Sequence, residues 1–278
     1  MSSITGKKIR LNRLIQKETN TCIIFAIDHG LTSPTVFKGI VNTRERVKQA
    51  IRGGANVVMM SRGFAKQVAD EFKRDTSLAL MLSASAAGCL RASNESIITP
   101  IGSVEEALRI GADAVVVFSA LGRDNEPEMI SYVSEVGEAC ELLGMPFITE
   151  AEFPTTYMAK DTSSFQKYGV EYLKRNVRLC AELGADIIKT NWSGDIESFA
   201  EIIEVANLPV VVAGGPVTTD EDLLIRMEMA KQAGAVGCSV GRNIFEHENP
   251  EAITRAIVQI FKGKKSAQEA LSELRAKV

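Results

Sequence analysis

The sequence lacks the features that mark membrane proteins, secreted proteins and nucleic-acid-binding proteins. No apolar stretch in the chain approaches the ~20 residues that a membrane-spanning helix needs. Residues 1–20 are polar, and without an apolar core they predict neither a signal peptide nor a membrane anchor. The 32 Lys and Arg residues are balanced by 35 Asp and Glu residues, so the net charge is −3. We therefore expect neither a membrane nor a nucleic acid as a partner.

Cysteine and proline are also scarce. The five cysteines are scattered and include no CxxC pair, which leaves a zinc knuckle or a thioredoxin-type motif unsupported. Buried, reduced thiols in a cytoplasmic protein are the simplest interpretation. The eight prolines disfavour Pro-rich linkers, and the 45% apolar content can supply a large core. The length permits one α/β barrel or two smaller domains, and the absence of a linker predicts a single domain over residues 1–278.

Short apolar runs rich in β-branched residues recur along the whole chain. Each run is continuous rather than alternating, which is typical of strands buried on both faces of a parallel sheet. Successive runs start 21 to 40 residues apart, which leaves room for a returning helix. The eight predicted strands are residues 22–27, 56–60, 77–82, 114–118, 146–149, 186–188, 209–213 and 235–240.

Helical patterns and a small repeat lie between these runs. Apolar residues at helical spacing predict helices over residues 44–51, 128–143, 165–183 and 221–232. A Gly-Ala pair precedes four of the runs, at Gly54, Gly111, Gly184 and Gly234. Glycine at such a place ends a helix in the left-handed conformation before the next strand.

Eight βα units predict an α/β fold, a single (β/α)8 TIM barrel. Residues 1–20 form an N-terminal flank and residues 250–278 a C-terminal helix in this prediction. An open doubly wound sheet is the alternative, but the G-x-G-x-x-G pattern is missing after the first strand.

Lys189 is the most informative residue at the predicted strand ends, where barrel active sites lie. It follows Ile187 and Ile188 directly, so it belongs to a strand at the barrel mouth rather than to a solvated helix face. Burial disfavours an ammonium group and predicts a lowered pKa, and Schiff-base formation requires the neutral amine. The alternative is a structural lysine paired with a carboxylate such as that of Asp28.

Glycines after the last two strands predict a phosphate site. Gly214 and Gly215 follow the seventh strand, and Gly241 with Arg242 follows the eighth. Backbone N–H groups of glycines can approach an anion closely, and an arginine can bind phosphate oxygens. Ordinary turn glycines beside a surface arginine are the alternative interpretation.

Other strand ends carry weaker signals. Asp28 is a candidate acid, base or hydroxyl ligand, unless it only caps a turn. His29 is either a hydrogen-bonded core residue or a base, and His247 is expected to be solvated. Trp192, the single tryptophan, is expected to line the pocket or cap the barrel mouth.

Four motifs together resemble the archaeal-type class I aldolases: AIDHG (26–30), DIIKTNWSGD (186–195), VVVAGGP (210–216) and VGRNIF (240–245). This family includes fructose-bisphosphate aldolase, aminodideoxyheptulosonate synthase and the thiolase that degrades phosphorylated autoinducer-2. The resemblance runs from about residue 11 to residue 261. It implies a barrel without a metal or another cofactor, a phosphorylated sugar as substrate, and a ring-shaped homo-oligomer, often a decamer.

The resemblance also implies roles for individual residues. Lys189 corresponds to the Schiff-base lysine and Asp28 to the aspartate of the first strand. The expected activity is cleavage of fructose 1,6-bisphosphate into dihydroxyacetone phosphate and glyceraldehyde 3-phosphate. The residues expected to bind the substrate or its phosphate are Gly214, Gly215, Gly241, Arg242, Arg62 and Trp192.

The sequence departs from the family after the fifth strand. Family aldolases carry Tyr-Pro-Arg-Gly there with the tyrosine as proton donor, whereas this chain has Phe153 in its place, followed by Pro154, Thr155 and Thr156. Phe153 has no hydroxyl group and cannot transfer a proton.

Tyr157, four residues on, is one candidate substitute for the missing proton donor, and Glu152 or Glu150 is another. Arg62 lies in a Ser-Arg-Gly stretch that replaces the more usual His-Lys-Gly. Two alternatives to an aldolase therefore stay open: a Schiff-base thiolase that passes an acyl group from a phosphorylated diketone to coenzyme A, and a non-catalytic sugar-phosphate-binding protein.

Overall fold

Eight parallel strands close into a barrel in the computed structural model, which describes residues 2–33, 35–73, 75–85, 98–122, 125–154 and 164–276. All eight are the predicted ones, with ends that differ by one or two residues. The barrel strands are β1 (Cys22–Ala26), β2 (Val57–Met60), β3 (Ser77–Met81), β6 (Ala114–Ser119), β7 (Phe147–Ala151), β8 (Ile187–Thr190), β9 (Val210–Ala213) and β10 (Gly237–Val240). Their order around the barrel is β1-β10-β9-β8-β7-β6-β3-β2. An antiparallel pair that the sequence did not predict, β4 (Ser83–Ser85) and β5 (Ile98–Pro100), follows β3.

Helices connect and surround the strands. They are α1 (Ser2–Leu14), α2 (Thr43–Gly53), α3 (Arg62–Gln67), α4 (Val104–Ile110), α5 (Glu126–Leu143), α6 (Ser164–Glu182), α7 (Ile196–Ala206), α8 (Asp220–Gln232), α9 (Arg242–Phe245), α10 (Pro250–Phe261) and α11 (Ala267–Arg275). The four helices predicted from apolar spacing are α2, α5, α6 and α8. Within α6, the backbone of Gly169 is not helical. The fold is therefore the predicted (β/α)8 barrel with flanking helices.

The four Gly-Ala turns work as the repeat indicated. Gly54, Gly111, Gly184 and Gly234 have φ angles of 103°, 90°, 96° and 110°. A side chain is strained in this left-handed region, so glycine allows each helix to end and the chain to enter the next strand.

Alternation along the strands divides the buried side chains between two clusters. Residues such as Ile24, Ile148 and Ile187 form an inner cluster inside the barrel. Their neighbours in sequence, such as Phe25 and Phe147, belong to an outer cluster that packs against the helices. Side chains along a strand alternate between the two faces with a period of two. The residues two positions after Ala26, Ile148 and Ile187 of the inner cluster therefore face the barrel interior as well, at its mouth. These residues are Asp28, Glu150 and Lys189.

Helix α1 closes the opposite end of the barrel. Leu14 is fully buried and joins the inner cluster. Lys7 forms ion pairs with Glu141 at 2.8 Å and with Asp186 at 3.0 Å, and Arg10 donates to the carbonyl of Gly144. These partners lie just before β7 and β8, so α1 sits against the amino ends of the strands.

The C-terminal region differs from the prediction of one helix. Helix α10 packs against α2 and α8 and takes the place of the eighth barrel helix. Helix α11 then packs on α8 and α10. A turn with Gly263 at a φ of 68° separates the two helices. Among the described helices, none is long and apolar enough to cross a membrane.

Candidate active site

Lys189 lies near the carboxyl end of β8 with 9% of its surface exposed. Glu150 is its direct neighbour across the β7–β8 pair, and the ammonium group donates a hydrogen bond to that carboxylate. Glu152 lies two residues further along, with its Oε1 atom 3.1 Å from Lys189 Nζ. The lysine is therefore held between the carboxylate of Glu150 on β7 and that of Glu152 just after this strand.

The charges in this cluster determine its protonation. Burial alone would lower the pKa of Lys189, but the carboxylates of Glu150, Glu152 and Asp28 outweigh burial and raise it above its ordinary value. The prediction of a lowered pKa is thus wrong for the unliganded protein, because it considered burial and not the neighbouring charges. Burial raises the pKa of Glu150 to about 7. The charges of three carboxyl groups therefore act on one ammonium group, and Glu150 is the member of this cluster whose pKa is raised close to neutral pH.

Asp28 and His29 follow β1 at the same end of the barrel. Asp28 is 6% exposed, and burial raises the pKa of its carboxyl group although the charge of Lys189 opposes this. The His29 ring lies edge-on to Phe37 and Phe245 at centroid distances of 5.8 and 5.0 Å. Burial, followed by the charge of Arg242, lowers the pKa of His29 to about 3. His29 is therefore a neutral residue packed among aromatic rings.

The turn after β7 is fixed by three side chains that were not predicted as site residues. Asn176 of α6 is fully buried and donates to the carbonyl groups of Glu152 and Ser119. Tyr172 stacks on Phe153 at a centroid distance of 5.5 Å. Asn191 accepts a hydrogen bond from the Phe153 backbone N–H at 2.7 Å.

A detectable signal existed only for Asn176. It is an amide in the otherwise apolar stripe formed by Leu173, Val177 and Cys180, and a polar residue buried there needs a partner.

The two glycine loops differ from the prediction in one respect. Gly214 donates its backbone N–H to the Ser239 carbonyl within the sheet, so the expectation that this group faces an anion is wrong. Gly215 has a φ of 71°, which suits glycine in the tight turn that follows. Gly241 precedes α9, and Arg242 is its first residue. A Cβ atom added at position 241 would overlap the His29 ring, so packing requires glycine at this position.

Asn243 joins the two loops. Its amide donates to the carbonyl groups of Gly214 at 3.2 Å and Pro216 at 3.0 Å, and its oxygen accepts from the Thr218 backbone N–H at 2.9 Å. Arg226 of α8 donates to the same Gly214 carbonyl. The loops after β9 and β10 are therefore one connected unit.

The structure shows the contacts of two more predicted site residues, Arg62 and Trp192. Arg62 begins α3, is half-exposed and pairs with Glu106 at 2.8 Å. Trp192 packs on Phe199 of α7 at a ring-centroid distance of 5.0 Å. Tyr157 lies outside the described residues. His247, expected to be solvated, is mostly buried, with its ring nitrogen 3.3 Å from Asp220.

The arrangement can carry out chemistry on a carbonyl compound. A lysine amine can attack a carbonyl carbon, and the carboxyl groups around it can accept and return protons. Among the described residues, no group of three or more His, Cys, Asp or Glu side chains is arranged to hold a metal ion. The described side chains in contact with each other at this site are an amine and two carboxylates.

Comparison with known sequences gives matches over nearly the whole chain. The model of the DeoC/LacD family of aldolases matches residues 22–247. An uncharacterized aldolase of Saccharolobus solfataricus is 33% identical, over 97% of this chain and 99% of the relative. The 2-amino-3,7-dideoxy-D-threo-hept-6-ulosonate synthase of Halobacterium salinarum is 32% identical, over 96% of both chains.

Solved structures agree with this relationship. An archaeal fructose 1,6-bisphosphate aldolase is 26% identical with a TM-score of 0.78, over 92% of this chain and 99% of that chain. An archaeal fructose-1,6-bisphosphate aldolase whose catalytic lysine is bound to the carbinolamine intermediate also has a TM-score of 0.78, at 25% identity, over 92% of this chain and 100% of that chain. The protein has the fold of the Schiff-base-forming class I aldolases, and the chain belongs to the DeoC/LacD family of aldolases.

Proposed function

We propose that this protein is a class I aldolase in which Lys189 forms a Schiff base with the ketone of a phosphorylated sugar. The observation that carries the proposal is the buried lysine at the barrel mouth, in contact with Glu150 and Glu152. A buried ammonium group surrounded by acids is costly for a purely structural purpose, since replacing a whole buried ion pair with well-packed apolar residues is often neutral or stabilising. Membership of the aldolase family gives the cluster a chemical use.

The proposed reaction begins with a proton transfer. In the form of the site in which Glu150 is ionised, Lys189 passes its proton to that carboxylate, with which it shares a hydrogen bond, and the neutral amine attacks the ketone. Loss of water gives an iminium ion, which accepts the electron pair of the breaking C–C bond. Gly215, Gly241 and Arg242 bind the phosphate in the loops after β9 and β10, and this places the carbonyl carbon near the amine.

Fructose 1,6-bisphosphate is the first substrate to test. The two structurally similar archaeal proteins are fructose 1,6-bisphosphate aldolases, which supports this choice. The relatives with higher identity include two heptulosonate synthases, at 32% and 31% identity, which supports a broader panel of ketose phosphates in both the cleavage and the condensation directions.

One observation favours a second candidate, a Schiff-base thiolase. Phe153 is 8% exposed and stacked on Tyr172, and it carries no group that transfers protons. An enzyme that passes an acyl group to coenzyme A would need a thiol acceptor for turnover. Cleavage of a ketose phosphate without any thiol present excludes this candidate.

Borohydride trapping tests the Schiff base directly. The protein is incubated with dihydroxyacetone phosphate or fructose 1,6-bisphosphate, reduced, digested and analysed by mass spectrometry. We expect one adduct, on Lys189, with no adduct in Lys189→Met and an unchanged adduct in Lys264→Met, which removes an exposed lysine. If no phosphorylated ketone of the panel gives an adduct while phosphate ligands still raise the melting temperature, the protein is a binding protein and the aldolase proposal is wrong.

The cellular setting and the assembly belong to the same proposal. Four cysteines in the described part of the chain are buried free thiols, which supports a reducing compartment such as the cytoplasm. The family resemblance supports a homo-oligomer, with a decamer as the expected form. Light scattering of the purified protein measures the number of subunits.

A further inference from the structure

Aldol cleavage at a Schiff base needs a group that moves a proton. As the C–C bond breaks, the hydroxyl group on the departing carbon must lose its proton. The enamine that remains must then gain a proton at carbon before water releases the product. The amine of Lys189 is bonded to the substrate during both steps and is not available, so a second group must serve.

Phe153 cannot be this group, and among the described residues the acids that contact Lys189 are able to transfer a proton. Glu150 lies level with Lys189 in the strand register, and its side chain is 4% exposed. Glu152 is two residues closer to the mouth, and its side chain is 13% exposed. A substrate enters from the mouth, so its carbon chain passes Glu152 before its carbonyl group reaches Lys189.

The backbone of Glu152 is fixed on both sides. Its N–H donates to the carbonyl groups of Ser119 at 3.2 Å and Glu150 at 3.0 Å. Its own carbonyl accepts from Asn176 at 3.2 Å. The next residue is tied to Asn191, so the turn is held by groups from β6, α6 and the end of β8. The Glu152 side chain therefore starts from a fixed backbone position, and its carboxylate contacts Lys189, which suits proton transfer at a defined carbon.

The two glutamates then have separate tasks. Glu150 is hydrogen-bonded to the lysine and suits the exchange of the amine proton. Glu152 contacts the amine from a position two residues nearer to the barrel mouth. Its carboxylate can therefore face the carbon chain of the substrate on the mouth side of the C=N bond.

We propose that Glu152 is the catalytic acid–base residue for C–C bond cleavage, a conclusion that rests on the proposed function. Its carboxylate takes the hydroxyl proton as the C–C bond breaks, and the bond's electron pair moves to the iminium nitrogen to give the enamine. The aldehyde leaves, and the Glu152 carboxyl group returns the proton to the enamine carbon. Water then hydrolyses the iminium ion and restores Lys189.

The test separates Schiff-base formation from proton transfer. In Glu152→Gln, borohydride trapping of dihydroxyacetone phosphate on Lys189 is expected to persist, because the amine and Glu150 are intact. The kcat for cleavage of fructose 1,6-bisphosphate should fall at least about 100-fold, the lower range for loss of a general acid–base. Exchange of the C3 hydrogen of dihydroxyacetone phosphate with deuterated water, measured by NMR, should fall in parallel.

Two variants control for indirect effects. Glu171→Gln makes the same chemical change on the outer side of α6, where the carboxylate is exposed and pairs with Lys174, and it should leave exchange and cleavage unchanged. Circular dichroism and the melting temperature show whether Glu152→Gln is folded. If it is unfolded, Glu152→Asp is measured in its place, and it should show slowed exchange with retained trapping.

Each result decides one question. Exchange within about threefold of wild type in a folded variant overturns the assignment of Glu152. Loss of trapping together with exchange in a folded variant also overturns it, because Glu152 then only positions Lys189. Failure of the wild-type protein to be trapped overturns the proposed function itself.

Discussion

Lys189 keeps its proton because its neighbours are acids rather than because it is exposed. The same neighbours make the site sensitive to pH. Glu150 has a pKa raised to about 7, well above its value in an unfolded chain. The Glu150 carboxyl group therefore binds more protons in the folded state than in the unfolded state between about pH 4.5 and 7. The contribution of Glu150 to stability therefore falls as the pH rises through this range and the buried carboxyl group ionises.

Replacing Glu150 with glutamine tests this pH dependence. The amide is similar in shape to the protonated acid, so the unfolding free energies of Glu150→Gln and wild type should be close at pH 5. By pH 8 the variant should be the more stable protein by at least about 1 kcal/mol, since one pKa unit corresponds to about 1.4 kcal/mol. Urea unfolding at four pH values measures the difference. His29 titrates in both proteins and cancels, and parallel stability curves would contradict the expectation.

For single residues, the sequence predicted the position of Lys189 in the barrel better than it predicted pKa values and side-chain partners. The position of Lys189 after two isoleucines was sufficient to place it at the barrel mouth. The pKa of Lys189 depends on carboxylates that come from other parts of the chain. Their distances from the lysine are determined by the pairing of strands in the barrel, and a single stretch of sequence does not reveal that pairing. Arg62 shows the same limit, because its partner Glu106 belongs to a different helix.

At the scale of elements, close packing between strands decides where side chains are tolerated. Gly237 begins β10 and pairs with Cys22 of β1. A Cβ atom at this position would overlap the backbone carbonyl of Cys22, which is fixed in the barrel sheet. Gly63, by contrast, lies in α3 with open space around the position of a Cβ atom.

Two identical substitutions should therefore have opposite effects. Gly237→Ala should lower the free energy of unfolding by about 3 kcal/mol or more, because the strands must separate to admit the methyl group. Gly63→Ala should leave it unchanged or raise it by up to about 1 kcal/mol, because alanine favours the helix. Urea unfolding midpoints of the two variants measure both effects. Equal midpoints would show that the β1–β10 pair can relax.

The elements themselves were largely predictable, since continuous apolar runs and Gly-Ala turns mark the strands. The β4–β5 pair was not, because strands of three residues, one ending in Pro100, carry too few side chains to form a pattern. The split between α10 and α11 was missed since the apolar spacing resumes after the turn at Gly263.

At the scale of the whole molecule, the two ends of the barrel are built differently. The closed end is covered by α1, where Leu14 is fully buried and Asn56 donates to its carbonyl at 2.8 Å. The open end carries the charged cluster of Lys189 and the loops after β9 and β10. In barrels of this kind, stability concentrates at the amino end of the strands and catalysis at the carboxyl end.

A pair of leucine substitutions checks this separation. Leu14→Ala should lower the free energy of unfolding by about 2–5 kcal/mol, because it leaves a cavity in the inner cluster. Leu142→Ala removes the same atoms from a side chain that is 75% exposed, and it should change stability by less than about 0.5 kcal/mol. At a temperature where both variants are folded, borohydride trapping on Lys189 should match wild type. A loss of trapping in folded Leu14→Ala would show that the two ends are coupled.

The covered end has a consequence for how such a protein can diverge. A substitution at the barrel mouth that introduces strain or a buried charge lowers the free energy of unfolding. A protein of low stability would no longer remain folded after such a substitution. Helix α1 supplies part of the required stability from residues that never meet the substrate. Substitutions in the turn after β7, where Phe153 lies, can therefore be tolerated while the barrel beneath them persists.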